Sequence, residues 1–375
     1  MNFSINKVVA AVDIGAGKGA KLGIASLENF NLKFLKEGLI ERVQYGQSTG
    51  HFTVKLAQKI NQLLKEQGIP LKQLASIGIA LPGFLDSFDR ILYSENISFL
   101  NKTDIKKQLS QLLHVPITMM NDGDCGGIAE WNLRRHELLY WVLGGGWGGS
   151  WISKEGRVNF PTTHWEGDES AIHLTNEPGY CIPITKKDLE VFFKDHGASF
   201  SRFLELYTDE LKVFPSQITG PNRNPDTIRT EVLVSGSGLW RIFGALLTKS
   251  EATKLPENIQ LAIKSPAAAG PAIQYLFHQK NECALRTIHL FSLLMEKTAI
   301  KILDQATQDG APKSIPIILG GGLANAFELL SPQVQKAIRQ AGYQSPLLKS
   351  YYLEQKLNAN LIGAVQQAIR AVSPK

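Results

Sequence analysis

Val8-Val9-Ala10-Ala11-Val12-Asp13-Ile14-Gly15-Ala16-Gly17-Lys18-Gly19-Ala20-Lys21-Leu22-Gly23 is the stretch on which the reading of this chain turns. An apolar run from Val8 to Val12 reads as a buried strand, and it stops on a carboxylate, Asp13. Three glycines and a lysine follow before Lys21–Ala25 resumes as strand. Glycines let backbone N–H groups approach phosphate oxygens closely, and Lys18 adds a positive charge. Asp13 is placed to hold a magnesium ion through water. A plain glycine hairpin between two strands reads the same way, so the turn gains meaning only from what lies further along.

The rest of the first third alternates helix and strand. Thr53–Gln67 has helical spacing and stops before Gly68 and Pro70. Ile77–Leu81 is a buried strand ending at Pro82-Gly83, Asp104–Leu113 is a helix, and Ile117–Met120 is a strand that stops at Asn121-Asp122. A second cycle follows: strand Tyr140–Leu143, a glycine cluster, then strand from Ser150 to Ile152. The same glycine turn in the same place twice suggests an internal duplication of a hairpin phosphate clamp. Residues 155–180 read as a long loop, 185–213 as helical and 214–230 as turn-rich. From Gly236 to about Gln308 the pattern is mostly helical. Ile315–Leu319 is a strand running into Gly320-Gly321-Gly322, and a helix from about Asn360 to Val372 ends the pattern.

Four turns rich in glycine or carboxylate therefore follow apolar strands: Asp13–Lys18, Asn121–Asp124, Gly144–Gly149 and Gly320–Gly322. Ligands of α/β folds collect at the carboxyl ends of strands, so the four are expected to converge on one site.

Composition narrows the classes. A chain of 375 residues can bury two sizeable cores, and 43% hydrophobic with 20% charged residues is ordinary for a globular protein. The net charge of +6 is spread over scattered pairs such as Lys106-Lys107 and Arg134-Arg135, which argues against nucleic acid as a partner. The first apolar run is too short for a signal peptide and no stretch reaches membrane-spanning length, so a cytoplasmic protein without a membrane partner is expected. Cys125, Cys181 and Cys283 are odd in number and far apart, which indicates neither a disulfide framework nor a zinc site.

Taken in order, these segments resemble the bacterial glucokinases of the hexokinase–actin–heat-shock ATPase superfold. Asp13-Ile14-Gly15-Ala16-Gly17-Lys18 resembles the first phosphate loop of that family, Asp-x-Gly-Gly-Thr-Lys/Asn. Leu81-Pro82-Gly83-Phe84-Leu85-Asp86 resembles its connecting segment, and Asn96-Ile97-Ser98-Phe99 its Asn-Leu-Pro-Trp sugar loop. Asn121-Asp122 matches the catalytic pair, and Leu143-Gly144-Gly145-Gly146-Trp147-Gly148-Gly149 resembles the second phosphate loop, Leu-Gly-Thr-Gly-x-Gly-Gly. Val234-Ser235-Gly236-Ser237-Gly238-Leu239, Leu319-Gly320-Gly321-Gly322 and Leu361-Ile362-Gly363-Ala364 complete the set.

The resemblance implies an α/β, two-domain actin/hexokinase-like (ribonuclease H-like) fold with a central cleft. Its small domain would hold residues 1–120 with the last helix, 360–375, and its large domain 121–359. It implies ATP- and Mg²⁺-dependent phosphorylation of a hexose, glucose first, with N-acetylhexosamine kinase or a weakly catalytic sensor as alternatives. Asp122 would be the general base. Asn96, Asn121, Glu177, Tyr180 and Glu231 would bind the sugar, with Glu166-Gly167 a rival placement for Glu177. Asp13, Gly15, Gly17, Lys18, Gly144, Gly145, Gly146, Gly236, Gly320, Gly321 and Gly322 would hold the nucleotide, Asp13 through the metal. A homodimer is a further expectation, without a located interface.

Departures from the pattern bear on the chemistry. The two phosphate-loop threonines are replaced by Gly17 and Gly145, and Tyr180 stands where the family has a sugar-binding histidine. Losing one hydrogen bond to a charged group costs about 1.5–3 kcal/mol. Several residues also have plainer readings: Asp122 as the cap of a helix starting near Cys125, Asp86 as a turn cap rather than a magnesium ligand, Glu231 as a surface residue, and Trp147 as a core plug rather than a nucleotide wall. His164, His173 and His196 read as surface histidines.

Overall fold

The structure, a computed structural model, describes residues 7–15, 19–28, 31–46, 48–86, 88–94, 97–161, 172–213 and 226–372. Gly17, Lys18, Asn96, His164 and the Glu166-Gly167 pair lie outside them. In chain order the first elements are β1 (Val8–Ile14), β2 (Gly19–Glu28), β3 (Asn31–Glu41), α1 (Thr49–Glu66), β4 (Leu74–Leu81), β5 (Phe84–Leu85), β6 (Ile91–Tyr93), α2 (Ile105–Leu113), β7 (Ile117–Asn121) and α3 (Asp122–Arg134). Next come β8 (Leu138–Leu143), β9 (Trp147–Ile152), β10 (Val158–Asn159), α4 (Pro178–Cys181), β11 (Pro183–Thr185), α5 (Lys186–Asp195), α6 (Phe200–Val213), β12 (Thr227–Arg229) and α7 (Thr230–Leu233). The remainder is α8 (Gly236–Leu246), α9 (Lys249–Ala252), α10 (Glu257–Ala262), α11 (Pro266–His278), α12 (Glu282–Gln308), β13 (Ile317–Gly320), α13 (Phe327–Gln340), β14 (Leu347–Lys349), α14 (Tyr351–Glu354) and α15 (Ala359–Val372).

The chain divides into two compact units, one of residues 1–136, 151–172 and 355–375, the other of residues 137–150 and 173–354. The division runs through β9.

The first unit is built on a five-stranded sheet in the order β3-β2-β1-β4-β7. β1 pairs antiparallel with β2 and parallel with β4, which pairs parallel with β7. Every residue of β1 is buried, the signature of a central strand covered on both faces. On one face α1 lays down Phe52, Leu56, Ile60, Leu63 and Leu64, its start capped by Ser48, whose hydroxyl accepts from the His51 N–H. On the other face α15 packs against β4 and α3. A Cβ on Gly78 would lie 1.9 Å from the Ala364 carbonyl oxygen, and one on Gly363 would lie 1.9 Å from that of Cys125. Only glycine permits backbones to approach this closely. Ser76 Oγ donates to Ala368 O (2.6 Å), and Asn132 Nδ2 donates to Gln366 Oε1 (2.6 Å).

The second sheet repeats the first. Its order is β10-β9-β8-β13-β14, with β13 parallel to both β8 and β14. A hairpin with a glycine turn leads each sheet, and two parallel strands follow the hairpin's first strand. Among the described residues, no helix is long and apolar enough to cross a membrane.

Local structure departs from the sequence reading in three places. The second glycine turn is shorter than expected, because Trp147–Gly149 already belong to β9. Gly149 sits in the strand since a Cβ there would come within 2.6 Å of Tyr140 O and 3.0 Å of Thr175 O. The helical stretch 185–213 is two helices, α5 and α6, parted near Gly197 at φ +63. The 155–180 stretch holds β10 and α4 among its described residues rather than loop alone.

Candidate active site

Among the described residues, the expected site residues fall into one group in each unit. In the first, β1 and β7 end on the same side of their sheet with β4 between them, delivering Asp13 at the end of β1 and Asn121-Asp122 at the end of β7. Asn121 is the N-cap of α3: its Oδ1 accepts from the N–H groups of Gly123 (2.8 Å) and Asp124 (3.3 Å), and its Nδ2 donates to Gly83 O (3.2 Å). The cap is therefore Asn121, not Asp122, and the helix opens at Asp122 rather than near Cys125. Asp122 Oδ1 also accepts from the Gly123 N–H (2.9 Å), so Asp122 supports the first turn of the helix it opens.

Asp122 stays partly open to solvent, yet burial around it, then the Asp13 charge, pushes its carboxyl up to about 6, against hydrogen bonds that favour the ionised form. A carboxyl poised near 6 is ionised at neutral pH and still basic enough to accept a proton. Asp13 is buried at 7% exposure. Its Oδ2 accepts from Asn358 Nδ2 at 2.6 Å and its Oδ1 from Asn360 Nδ2 at 3.4 Å, with Lys21 Nζ 3.9 Å away. Neither Asn358 nor Lys21 stands out in the sequence; only the fold brings residue 358 beside residue 13.

Magnesium demands little from protein here. It keeps several waters and commonly takes one or two carboxylates plus substrate phosphates. Among the described residues no cluster of three or more His, Cys, Asp or Glu could hold a metal. Asp13 fits the lighter requirement, since each of its oxygens accepts one amide and keeps a lone pair. Asp86 does not: Oδ1 accepts from Phe88 N and Arg90 N (both 2.9 Å) and Oδ2 pairs with Arg90 Nε (2.6 Å). It is a turn cap. Burial works against its ionisation, but those bonds hold its carboxyl below the usual range.

The first glycine turn is fixed from both sides of Gly15. Its N–H donates to Gly19 O (3.2 Å), and its carbonyl accepts from Tyr45 Oη (2.8 Å). Gly19 has φ +129, and a Cβ there would lie 2.1 Å from Ile40 O, so no other residue fits.

In the second unit, Glu177, Tyr180 and Glu231 gather around the second glycine turn. Gly144 N–H donates to Gly146 O (3.0 Å), and Gly236 N–H donates to Gly144 O (2.8 Å). Gly236 thus anchors the turn to the start of α8. Glu231 Oε2 lies 2.7 Å from where a Gly146 Cβ would be, and Glu177 Oε2 lies 3.6 Å from the corresponding point on Gly148. The Arg229 guanidinium sits 3.5 Å from the Tyr180 ring centroid and 3.8 Å from Glu231 Oε1. Glu231 is therefore part of a charged cluster rather than a lone surface residue. Gly144 and Gly145 face open space. Gly321, at φ +83, lies against Leu143, where a Cβ would meet the carbonyl at 2.3 Å, so the third glycine run abuts the strand that feeds the second turn. Gly320 packs on Tyr140, and Gly322 opens a short 3-10 turn over Gly322–Ala326.

Trp147 is 1% exposed and meets Trp141 edge-on with ring centroids 5.4 Å apart, so it is a core plug. His173 bridges Thr175 (2.7 Å) and Asp309 (3.0 Å), and His196 bonds Phe192 O (2.8 Å).

Comparison with known proteins now bears on this geometry. The model of the ROK family matches residues 10–158. No curated protein matches the sequence as a relative. Solved structures share the fold at low identity. A ROK family glucokinase from Streptomyces griseus, in complex with glucose and AMPPNP, superposes with a TM-score of 0.64 at 18% identity, over 97% of this chain and 99% of that one. A putative N-acetylmannosamine kinase from Listeria monocytogenes gives 0.63 at 15% over 98% and 100%. A ROK family transcriptional regulator, a homolog of the E. coli MLC protein, gives 0.65 at 13% over 97% of this chain and 79% of that one. The expected resemblance stands: residues 10–158 carry the ROK pattern, and the chain has the two-domain α/β fold of the ROK sugar kinases.

Proposed function

We propose that this chain is a sugar kinase that transfers the γ-phosphoryl group of ATP to the 6-hydroxyl of glucose. The observation that carries the reading is the position of Asp122: it follows strand β7, opens the helix that Asn121 caps, and has its carboxyl raised towards neutrality beside Asp13. In the reaction Asp122 accepts the hydroxyl proton, the sugar oxygen bonds to the γ-phosphorus, and the bond to the bridging oxygen breaks to release ADP. Asn121 holds Asp122 in place through the first turn of α3 and would, on the resemblance, contact a sugar hydroxyl. Glu177, Tyr180 and Glu231 would accept or donate hydrogen bonds to the other hydroxyls. Magnesium, held through Asp13, would neutralise phosphate charge when bound.

A panel of hexoses with Mg²⁺ and either ATP or polyphosphate, read by ADP or phosphosugar formation, tests the reading. The highest kcat/KM is expected for glucose with ATP. Preference for an N-acetylhexosamine would move the substrate, and an inert panel would remove the kinase reading. One observation favours a second reading, a sensor that binds without turnover. Gly145 brings no hydroxyl to the second turn, and the space beside it is open. A sensor would show a higher melting temperature with ATP and sugar yet release no ADP.

A further inference from the structure

Tyr45 is buried without exposure, directly after the short 3-10 turn Arg42–Gln44 that follows β3. Its ring packs on Phe52 (centroids 4.6 Å apart) and edge-on against Phe99 (6.1 Å), and Phe52 meets Phe99 edge-on at 5.7 Å. The Arg42 guanidinium lies over both the Tyr45 ring (4.8 Å) and the Phe99 ring (5.9 Å). Thr49, the first residue of α1, donates its hydroxyl to Phe99 O at 2.9 Å. Phe99 belongs to the short turn Ser98–Leu100, which continues the segment resembling a sugar loop. From the other edge of this cluster the Tyr45 hydroxyl reaches Gly15 O at 2.8 Å. One aromatic group thus touches the turn that would face phosphate and the loop that would face sugar. Tyr45 contributes its only polar atom to that link, and burial raises its phenol pKa far above the usual value, so the bond persists at any working pH.

We propose that Tyr45 is a positioning residue that couples the Ile97–Leu100 loop to the first glycine turn. The inference rests on the kinase reading above. Sugar that orders the loop fixes the Phe99 ring, the ring fixes Tyr45, and the Tyr45 hydroxyl holds the Gly15 carbonyl turned inward. Binding energies coupled in this way are reciprocal: a nucleotide on the turn tightens the sugar by the same factor.

The test uses the full chain and titrates Mg²⁺·AMPPNP calorimetrically with and without the sugar preferred in the panel. Tyr45→Phe deletes the hydroxyl and keeps the ring, so the fold should hold, with a melting temperature within a few degrees of wild type. AMPPNP affinity should fall about three- to tenfold and KM for ATP should rise in step, while kcat changes less than threefold. Sugar should no longer tighten the nucleotide. Phe99→Leu should weaken AMPPNP in the wild-type background and leave it unchanged in the Tyr45→Phe background, because the two act through one path. Unchanged AMPPNP affinity in Tyr45→Phe, or effects of the two substitutions that multiply, would overturn the coupling. If no sugar in the panel is phosphorylated, the kinase reading fails by itself. The Tyr45→Phe effect on AMPPNP alone then decides whether Tyr45 supports the turn.

Discussion

The two glycine turns lead sheets of the same topology, yet they are held by different means. The first is clamped at one residue: Gly15 is bonded through its N–H to Gly19 and through its carbonyl to the Tyr45 side chain. The second has main-chain bonds within it and to the start of α8, between Gly144 and Gly146 and from Gly236 to Gly144, and its Gly144 and Gly145 look onto open space. The acids beside them differ as well. Asp13 and Asp122 repel one another beside the first turn, whereas Glu231 stands next to Arg229 beside the second. Repetition of a hairpin therefore fixes where a turn sits, and what packs behind it decides what the turn can do.

The sharpest way to break the comparison is Asp122→Asn. Turnover should fall by about two to four decades while sugar affinity changes little, measured by steady-state kinetics and direct sugar titration. Near-normal turnover would remove the first unit's acid pair from the chemistry. A smaller effect, in the opposite direction, is expected from Gly145→Thr. Nothing lies within 4 Å of the added Cβ and the backbone is not left-handed, so the side chain fits and returns a hydroxyl to the second turn. KM for ATP should drop by about tenfold. Smaller again is Gly146→Ala, whose Cβ would press on the end of the Glu231 side chain. KM for sugar should rise about threefold with the melting temperature barely moved, because only a flexible carboxylate must shift.

The smallest effect separates the two acid sites by pH. Because the carboxyl of Asp122 is raised from 3.8 to about 6, its ionisation weakens the fold. The stability it contributes is whole below about pH 4 and is lost as pH rises through about 6. Asp122→Asn should therefore melt a few degrees higher than wild type at pH 7.5, with the gap closing at pH 4. For the wild type, kcat/KM should fall off below about pH 6 as the base protonates.

The parallel strands β1, β4 and β13 were plain in the sequence because strands buried on both faces appear as unbroken apolar runs, whereas the short parallel edge strand β14 was missed. Edge strand β3 was not, because Asn-Leu-Lys-Phe-Leu-Lys-Glu mixes charge into a strand with one partner. Asn121-Asp122 could be located from its strand, but which of the two caps α3 depends on backbone angles that no motif encodes. Asn358 and Tyr45 lay beyond reach for another reason: their partners are 345 and 30 residues away in sequence, so only folding gives them meaning.

Helix α15 carries a last consequence. Its residues Leu361, Ala364, Val365 and Ala368 complete a core with Val9, Ala11, Ala25, Ala80 and Cys125. During synthesis, the sheet made near the start of the chain waits with that face largely uncovered, save for α3, until residues 359–372 leave the ribosome. A nascent chain stalled before that point would present a greasy sheet to the cell, a natural substrate for chaperones, and a protein clipped just before residue 359 should aggregate instead of merely losing activity.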